Sequence, residues 1–210
     1  MTENLNHNKQ KMSTDKLAKM GMMVALACVL GFVRFPIIPA VGFLTYDFAD
    51  IPIIITAFAY GPAAGFIVTT IVCAIQAFLL GGDGIYGFIM HLLSSGIFVL
   101  IAASVYKRNK TKKQAIISLV LASIAMIFVM AIANIYITPF YMAAGVEGGI
   151  SAVKQMVFEL MPLIILFNVI KAVANSVITF LVYKKISGFL HRETIRRRAE
   201  RPAEEKSMNK

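Results

Sequence analysis

The run from Leu160 to Tyr183 constrains this chain more than any other stretch. It stays apolar long enough to cross a bilayer, whose hydrocarbon core takes about 20 residues of helix. Inside it stand Asn168, Lys171 and Asn175, separated by three, four and seven positions. A helix therefore puts all three on one face. A lysine at that depth costs on the order of 3 kcal/mol or more unless it is solvated or paired. Two arrangements meet that need. The amides can bond a neighbouring helix while Lys171 pairs with a carboxylate, or the three groups can line a polar ligand pocket within a helix bundle.

The remaining sequence decides the class. Of 210 residues, 58% are hydrophobic and 15% charged, more apolar surface than a soluble core of this size can hide. Several apolar runs near the spanning length make an all-α polytopic membrane protein. The net charge of +10 does not mark a nucleic-acid partner. Eighteen of the twenty-one Lys and Arg fall in three clusters at the ends of apolar runs: Lys9 to Lys19, Lys107 to Lys113, and Lys184 to the C-terminus. The positive-inside rule places all three on the cytoplasmic side. Cys28 and Cys73 lie in apolar segments without metal-ligand spacing or a disulfide framework, and no metal site or cofactor is expected. The first apolar run ends in Arg34-Phe35-Pro36, without a signal-peptide cleavage pattern.

In chain order, residues 1–15 form a polar cytoplasmic tail, 16–190 the membrane domain, and 191–210 a basic cytoplasmic tail. The first span runs from about Lys16 to Phe35 and is ended by Pro36 and Pro39. An unusually apolar loop, residues 37–50, follows. Asp50 before Ile51-Pro52 reads as an N-cap with proline in the first turn. Because the basic clusters share one side, an even number of crossings must separate Lys19 from Lys107. The apolar stretch 51–80 is accordingly divided at Gly61-Pro62 into a short helix, 50–60, and a longer one, 63–80. Gly81-Gly82-Asp83-Gly84 is an external turn. Helices over 85–106, 114–138 and about 162–185 complete six crossings with both termini inside.

Placed by depth at 1.5 Å per residue, Asn134 lies about 6 Å, Asn168 about 9 Å and Lys171 about 14 Å below the outer end of its helix. Gln76 and His91 share the outer half, while Asn175 lies deeper. The polar groups thus converge on an outward-facing cavity that loop 37–50 is placed to cover as a lid. Two amides and an ammonium suit a ligand with imide-like edges or many hydroxyls. Phe43, Tyr46, Phe48, Phe140 and Tyr141 flank the mouth, either to stack on a planar ring or as an interfacial aromatic belt.

The stretch Leu44-Thr45-Tyr46-Asp47-Phe48-Ala49-Asp50-Ile51-Pro52, followed by Ala57-Phe58-Ala59-Tyr60-Gly61-Pro62-Ala63-Ala64-Gly65, resembles the vitamin-binding S components of energy-coupling factor transporters, most of all the riboflavin-specific type. The resemblance covers nearly all of residues 16–190. It implies six helices, riboflavin captured near the outer face under a lid loop, and a partner module of one transmembrane coupling subunit and two ATPases. It also implies that Asn134 and Asn168 bond the isoalloxazine edge. Leu44 belongs to the same matching stretch, and Thr45, Lys171, Asp47 and Glu147 would reach the ribityl chain. The family docks its first helix on the coupling subunit through alanines four apart. Here those positions are Gly21 and Ala25, which keep a small-xxx-small face; packing within the bundle is the other use of such a face.

No Gly-x-x-x-x-Gly-Lys-Ser/Thr phosphate loop occurs, so this chain does not hydrolyse ATP itself. His7, His91 and His191 are scattered, with no nucleophile or carboxylate pair set beside them, and no enzymatic activity is expected. The reading is a membrane substrate-capture subunit for riboflavin. Its rivals are an S component for another vitamin, a stand-alone secondary carrier, which would show inverted repeats, and a scaffold without a tight ligand.

Overall fold

The computed structural model describes residues 14–80 and 84–183. The polar tail up to residue 13, most of the Gly81–Gly84 turn and the basic C-terminal segment lie outside them. Among the described residues regular structure is helical, apart from one antiparallel bridge between Phe35 and Tyr46.

Helix α1 spans Thr14–Gly31, with Asp15 in its first turn, where the positive end of the helix dipole favours an acid. It buries Met20, Ala27 and Gly31 and leaves Leu17, Met22, Leu26 and Val29 exposed. The helix was expected to reach Phe35 but stops at Gly31. There Arg34 Nε folds back to donate to the Gly31 carbonyl at 3.1 Å, satisfying an acceptor that the helix end leaves open. Residues 32–49 form the connecting loop. Phe35 and Tyr46 exchange backbone bonds of 3.1 and 2.9 Å across it, and Pro39–Val41 makes a single 3-10 turn.

Helices α2 (Asp50–Tyr60) and α3 (Pro62–Ile75) pivot on Gly61. Its φ of +94° is a backbone state that only glycine adopts without strain, and Pro62 then opens α3 in the position proline prefers. The two helices touch backbone to backbone. A Cβ on Gly65 would stand 2.4 Å from Ala57 Cβ and 2.8 Å from Val99 Cγ1. Helix α3 continues as a π turn over Gln76–Leu80. The expected division at Gly61-Pro62 is therefore what the structure shows, and α2, with 11 residues, is about 16 Å long.

Helices α4 (Gly84–Arg108) and α5 (Lys112–Tyr136) pack along their length. They meet at a basic turn, where Thr111 caps α5 by accepting from the Gln114 amide at 3.2 Å. Helix α5 ends at Tyr136 rather than at the expected Thr138, and the stretch 138–160, otherwise unassigned from the sequence, contains a short helix α6 (Thr138–Met142) and an amphipathic helix α7 (Gly149–Glu159). Helix α8, Met161–Tyr183, closes the bundle.

Two apolar clusters hold the elements together. The main one joins α1 through α5 with Ala172 of α8. It is rich in alanine (Ala27, Ala57, Ala64, Ala102, Ala122, Ala133 and Ala172), which lets helix backbones approach closely. The second ties Val41 of the loop to Val153 and Val157 of α7 and Ile164 of α8. Four helical stretches, Pro62–Leu80, Gly84–Arg108, Lys112–Tyr136 and Met161–Tyr183, are long and apolar enough to cross a membrane, and less than half of each is buried inside the protein. The faces left over carry Ile124, Phe128, Val173 and Leu181, all more than half exposed. A continuous apolar surface of that kind is stable against lipid rather than water. The chain is a multi-pass membrane protein.

Candidate functional site

A cavity of about 320 Å³ opens at the pole away from the basic α4–α5 turn. That volume falls within the range of about 300–1,000 Å³ typical of small-molecule sites. The loop supplies Arg34, Gly42, Phe43, Leu44 and Thr45; α4 supplies Tyr86, Gly87, Met90, His91 and Ser94; α8 supplies Phe167, Asn168 and Lys171; Met130, Thr138 and Tyr141 complete the wall. Nine of these sixteen residues carry a side-chain donor or acceptor, set among phenylalanine rings and thioethers, a mixture of apolar surface and orienting polar groups that suits a small-molecule site. Among the residues that line it none is acidic.

Lys171 reaches this wall because of what lies behind it. Its Nζ stands 3.3 Å from Asp50 Oδ2, with side chains only 6% and 9% exposed. Asp50 was expected to cap α2. Instead Ala49 occupies the cap position, and its amide donates to Asp47 Oδ1 at 2.9 Å. With the turn satisfied by Asp47, the Asp50 carboxylate points inward. It accepts from Ser95 Oγ of α4 at 2.5 Å and from Asn175 Nδ2 of α8 at 2.8 Å. Asn175 Oδ1 in turn accepts from the Tyr46 hydroxyl at 3.0 Å. The Phe35 and Phe48 rings pack against the Tyr46 ring at centroid separations of 5.7 and 5.2 Å and lie 6.3 Å from each other, fixing the root of the loop.

Both arrangements expected for the polar face of α8 are therefore present, and Lys171 takes part in both. Lys171 and Asn175 pair across to α2, as interhelical contacts do. Asn168, 2% exposed, donates to the Ile164 carbonyl of its own helix at 2.8 Å and lines the cavity. Leu44 and Thr45 also line it, with Phe43, His91 and Tyr141.

Three expected residues stand elsewhere. Asn134 is fully buried, but its Nδ2 donates to the Met130 carbonyl at 2.8 Å and its Oδ1 accepts from Thr138 Oγ1 at 2.9 Å. Met130 and Thr138, not Asn134, form that part of the wall. Asp47 is buried beneath the loop as the turn acceptor described above. Glu147 is exposed between α6 and α7 and does not line the cavity, because the second apolar cluster turns its neighbours Val153 and Val157 inward and leaves this turn outside. Phe140 is 55% exposed. Gln76 is buried in the π turn of α3, its amide occupying the space that a Gly31 side chain would fill. Gly21 and Ala25 lie on the exposed face of α1, and a Cβ at Gly21 would meet nothing within 4 Å. Among the described residues, nothing in the bundle packs on this face.

A helical membrane bundle that roofs a small cavity of aromatic, amide and ammonium groups is a protein built to enclose a solute. This chain belongs to the family of ECF transporter substrate-specific components, whose family model matches residues 15–183. It is 31% identical over 191 residues to the riboflavin transporter RibU of Staphylococcus aureus (strain TCH60), covering 90% of this chain and 96% of that one. It is 29% identical to the riboflavin transporter FmnP of Bacillus subtilis (strain 168), covering 87% and 97%. A solved structure described as the S component of a bacterial ECF transporter superposes with a TM-score of 0.71 at 31% identity, covering 84% of this chain and 97% of that one. The helical S-component fold implied by the 44–65 stretch is the fold observed; of the six spans it implied, four helices among the described residues are long and apolar enough to cross.

Proposed function

We propose that this chain captures riboflavin in the cavity between loop 32–49 and helices α4, α5 and α8, and delivers it with an ATP-driven module. The observation that carries the reading is the cavity wall. It sets an amide (Asn168), an ammonium (Lys171) and a hydroxyl (Thr45) among Phe43, Tyr141 and Phe167, in a chain whose relatives across nearly their whole length are named riboflavin transporters. A ring of three fused cycles gains from stacking on such side chains. Its imide edge and ribityl hydroxyls take the hydrogen bonds. Asn134 contributes by orienting Thr138, while Asp47 and Glu147 are not in the contact set of this arrangement.

The basic turn after α4 faces the cytoplasm, so the cavity faces outward and loop 32–49 is its lid. The chain crosses six times, with α2 as a half-length span completed by the apolar loop, and both termini are cytoplasmic. The exposed Gly21/Ala25 face of α1 docks on a transmembrane coupling subunit, which links the loaded protein to two ATPases. Riboflavin is the cargo; the chain performs no chemistry on it. Purified protein titrated with riboflavin should quench flavin fluorescence to saturation at one ligand per chain, with preparations from flavin-rich medium yellow. Full fluorescence at micromolar protein, or saturation by a different vitamin alone, overturns the reading.

A further inference from the structure

We infer that Asp50 sets ligand selectivity from behind the wall: by neutralising Lys171 it makes the cavity favour a hydroxyl-ended ligand over the same ligand carrying a phosphate. This rests on the riboflavin reading of the cavity. The lining residues include Arg34, His91 and Lys171 and no acid, so the charge felt by a ligand depends on carboxylates one layer back. Asp50 is in contact with the wall, 3.3 Å from Lys171 Nζ. It is held in place: Ser95 Oγ donates at 2.5 Å and Asn175 Nδ2 at 2.8 Å. The Asn175 amide is itself oriented by the Tyr46 hydroxyl, so its nitrogen has to face Asp50. The buried Asp47 serves the Ala49 amide instead.

An ammonium has three protons. With one directed at Asp50, two are left for ligand hydroxyls, which need donors but no net charge. A phosphate dianion gains from net charge, and a tight Asp50–Lys171 pair presents only a dipole. Removing the negative charge leaves a bare cation at the wall and also frees Lys171 from its aim. At an effective dielectric of about 20 and a separation of about 8 Å, the attraction between that cation and a phosphate dianion exceeds what a tenfold change in affinity requires. Asp50 is thus a positioning residue, acting through Lys171.

The test compares riboflavin with its 5′-phosphate on the full chain in detergent, by flavin fluorescence titration. For Asp50→Asn, the ratio of phosphate-ester to riboflavin affinity should rise at least tenfold over wild type, mainly through tighter binding of the phosphate ester. A merely structural defect lowers both affinities together, and an unchanged ratio overturns the inference while leaving the riboflavin reading intact. Wild-type protein that binds neither flavin removes the reading and this inference with it. If Asp50→Asn yields no folded protein, Lys171→Met carries the test. The ratio must then move at least tenfold the other way, because Asp50 is left uncompensated; a ratio that stays put overturns the inference.

Discussion

The buried Asp50–Lys171 pair should respond asymmetrically to losing one partner or the other. Breaking a buried pair costs about 3–5 kcal/mol, because it strands a charge. After Lys171→Met the stranded group is Asp50, which still accepts from Ser95 at 2.5 Å and Asn175 at 2.8 Å. Each hydrogen bond to a charged group contributes about 1.5–3 kcal/mol, so the net loss should shrink to about 1–3 kcal/mol. After Asp50→Asn the stranded group is the ammonium, 6% exposed, and it is left with neutral acceptors only, the new amide oxygen and the Ser95 hydroxyl. That loss should stay near the full 3–5 kcal/mol. For a chain of this length 1 kcal/mol shifts Tm by about 2–4 °C. Asp50→Asn should therefore lower Tm by about 6–20 °C and Lys171→Met by about 2–12 °C, the first always the larger loss. The double variant, with neither charge, should be more stable than Asp50→Asn alone. The assay is thermal unfolding in detergent without ligand, so that binding does not contribute, read by reaction of a maleimide dye with the Cys73 thiol, which is buried in the folded chain. Lys171→Met costing as much as Asp50→Asn, or a double variant worse than both, would refute the reasoning.

Other outcomes follow from the same geometry. Asn168→Ala should weaken riboflavin binding about 10- to 100-fold, the equivalent of one polar ligand edge left without its partner, with little change in Tm because the lost protein bond is local to α8; unchanged affinity by calorimetry counts against Asn168 as a contact. Gly65→Ala should cost about 1–3 kcal/mol by overpacking, since its Cβ would lie 2.4 Å from Ala57 Cβ, and a Tm equal to wild type would show that α2 and α3 are not so closely set. Ala25→Leu should leave riboflavin binding intact while abolishing co-purification with the coupling subunit; a variant that still assembles removes the docking face from α1.

Much of this arrangement was legible in the sequence where local chemistry is decisive. Gly61-Pro62 allows a turn and little else, and charge parity required that turn to divide the stretch 51–80. A lysine in the middle of a span demanded either a cavity or a carboxylate, and Lys171 has both. Asp50 was misread because its neighbours, Ile51-Pro52, carry a strong helix-start pattern. A local pattern cannot see Lys171 and Asn175, which lie 121 and 125 positions further along the chain and compete for the same carboxylate. Asn134 was placed by its distance from a helix end, but that distance does not fix direction, and its amide is spent on Met130 and Thr138. Helix α7 had a readable signal in Ile150, Val153, Val157 and Leu160, spaced three and four apart, the period of an amphipathic helix. Glu147 could not be placed without knowing which way that helix turns.

The most direct measurement is an experimental structure of the full chain with riboflavin bound. The account predicts the fused ring beneath residues 42–45, with the Asn168 amide and Lys171 Nζ within hydrogen-bonding distance of its polar edge or ribityl chain. Riboflavin seated in another part of the bundle, or a closed chain with Asn168 and Lys171 still bonded only to protein, would contradict it.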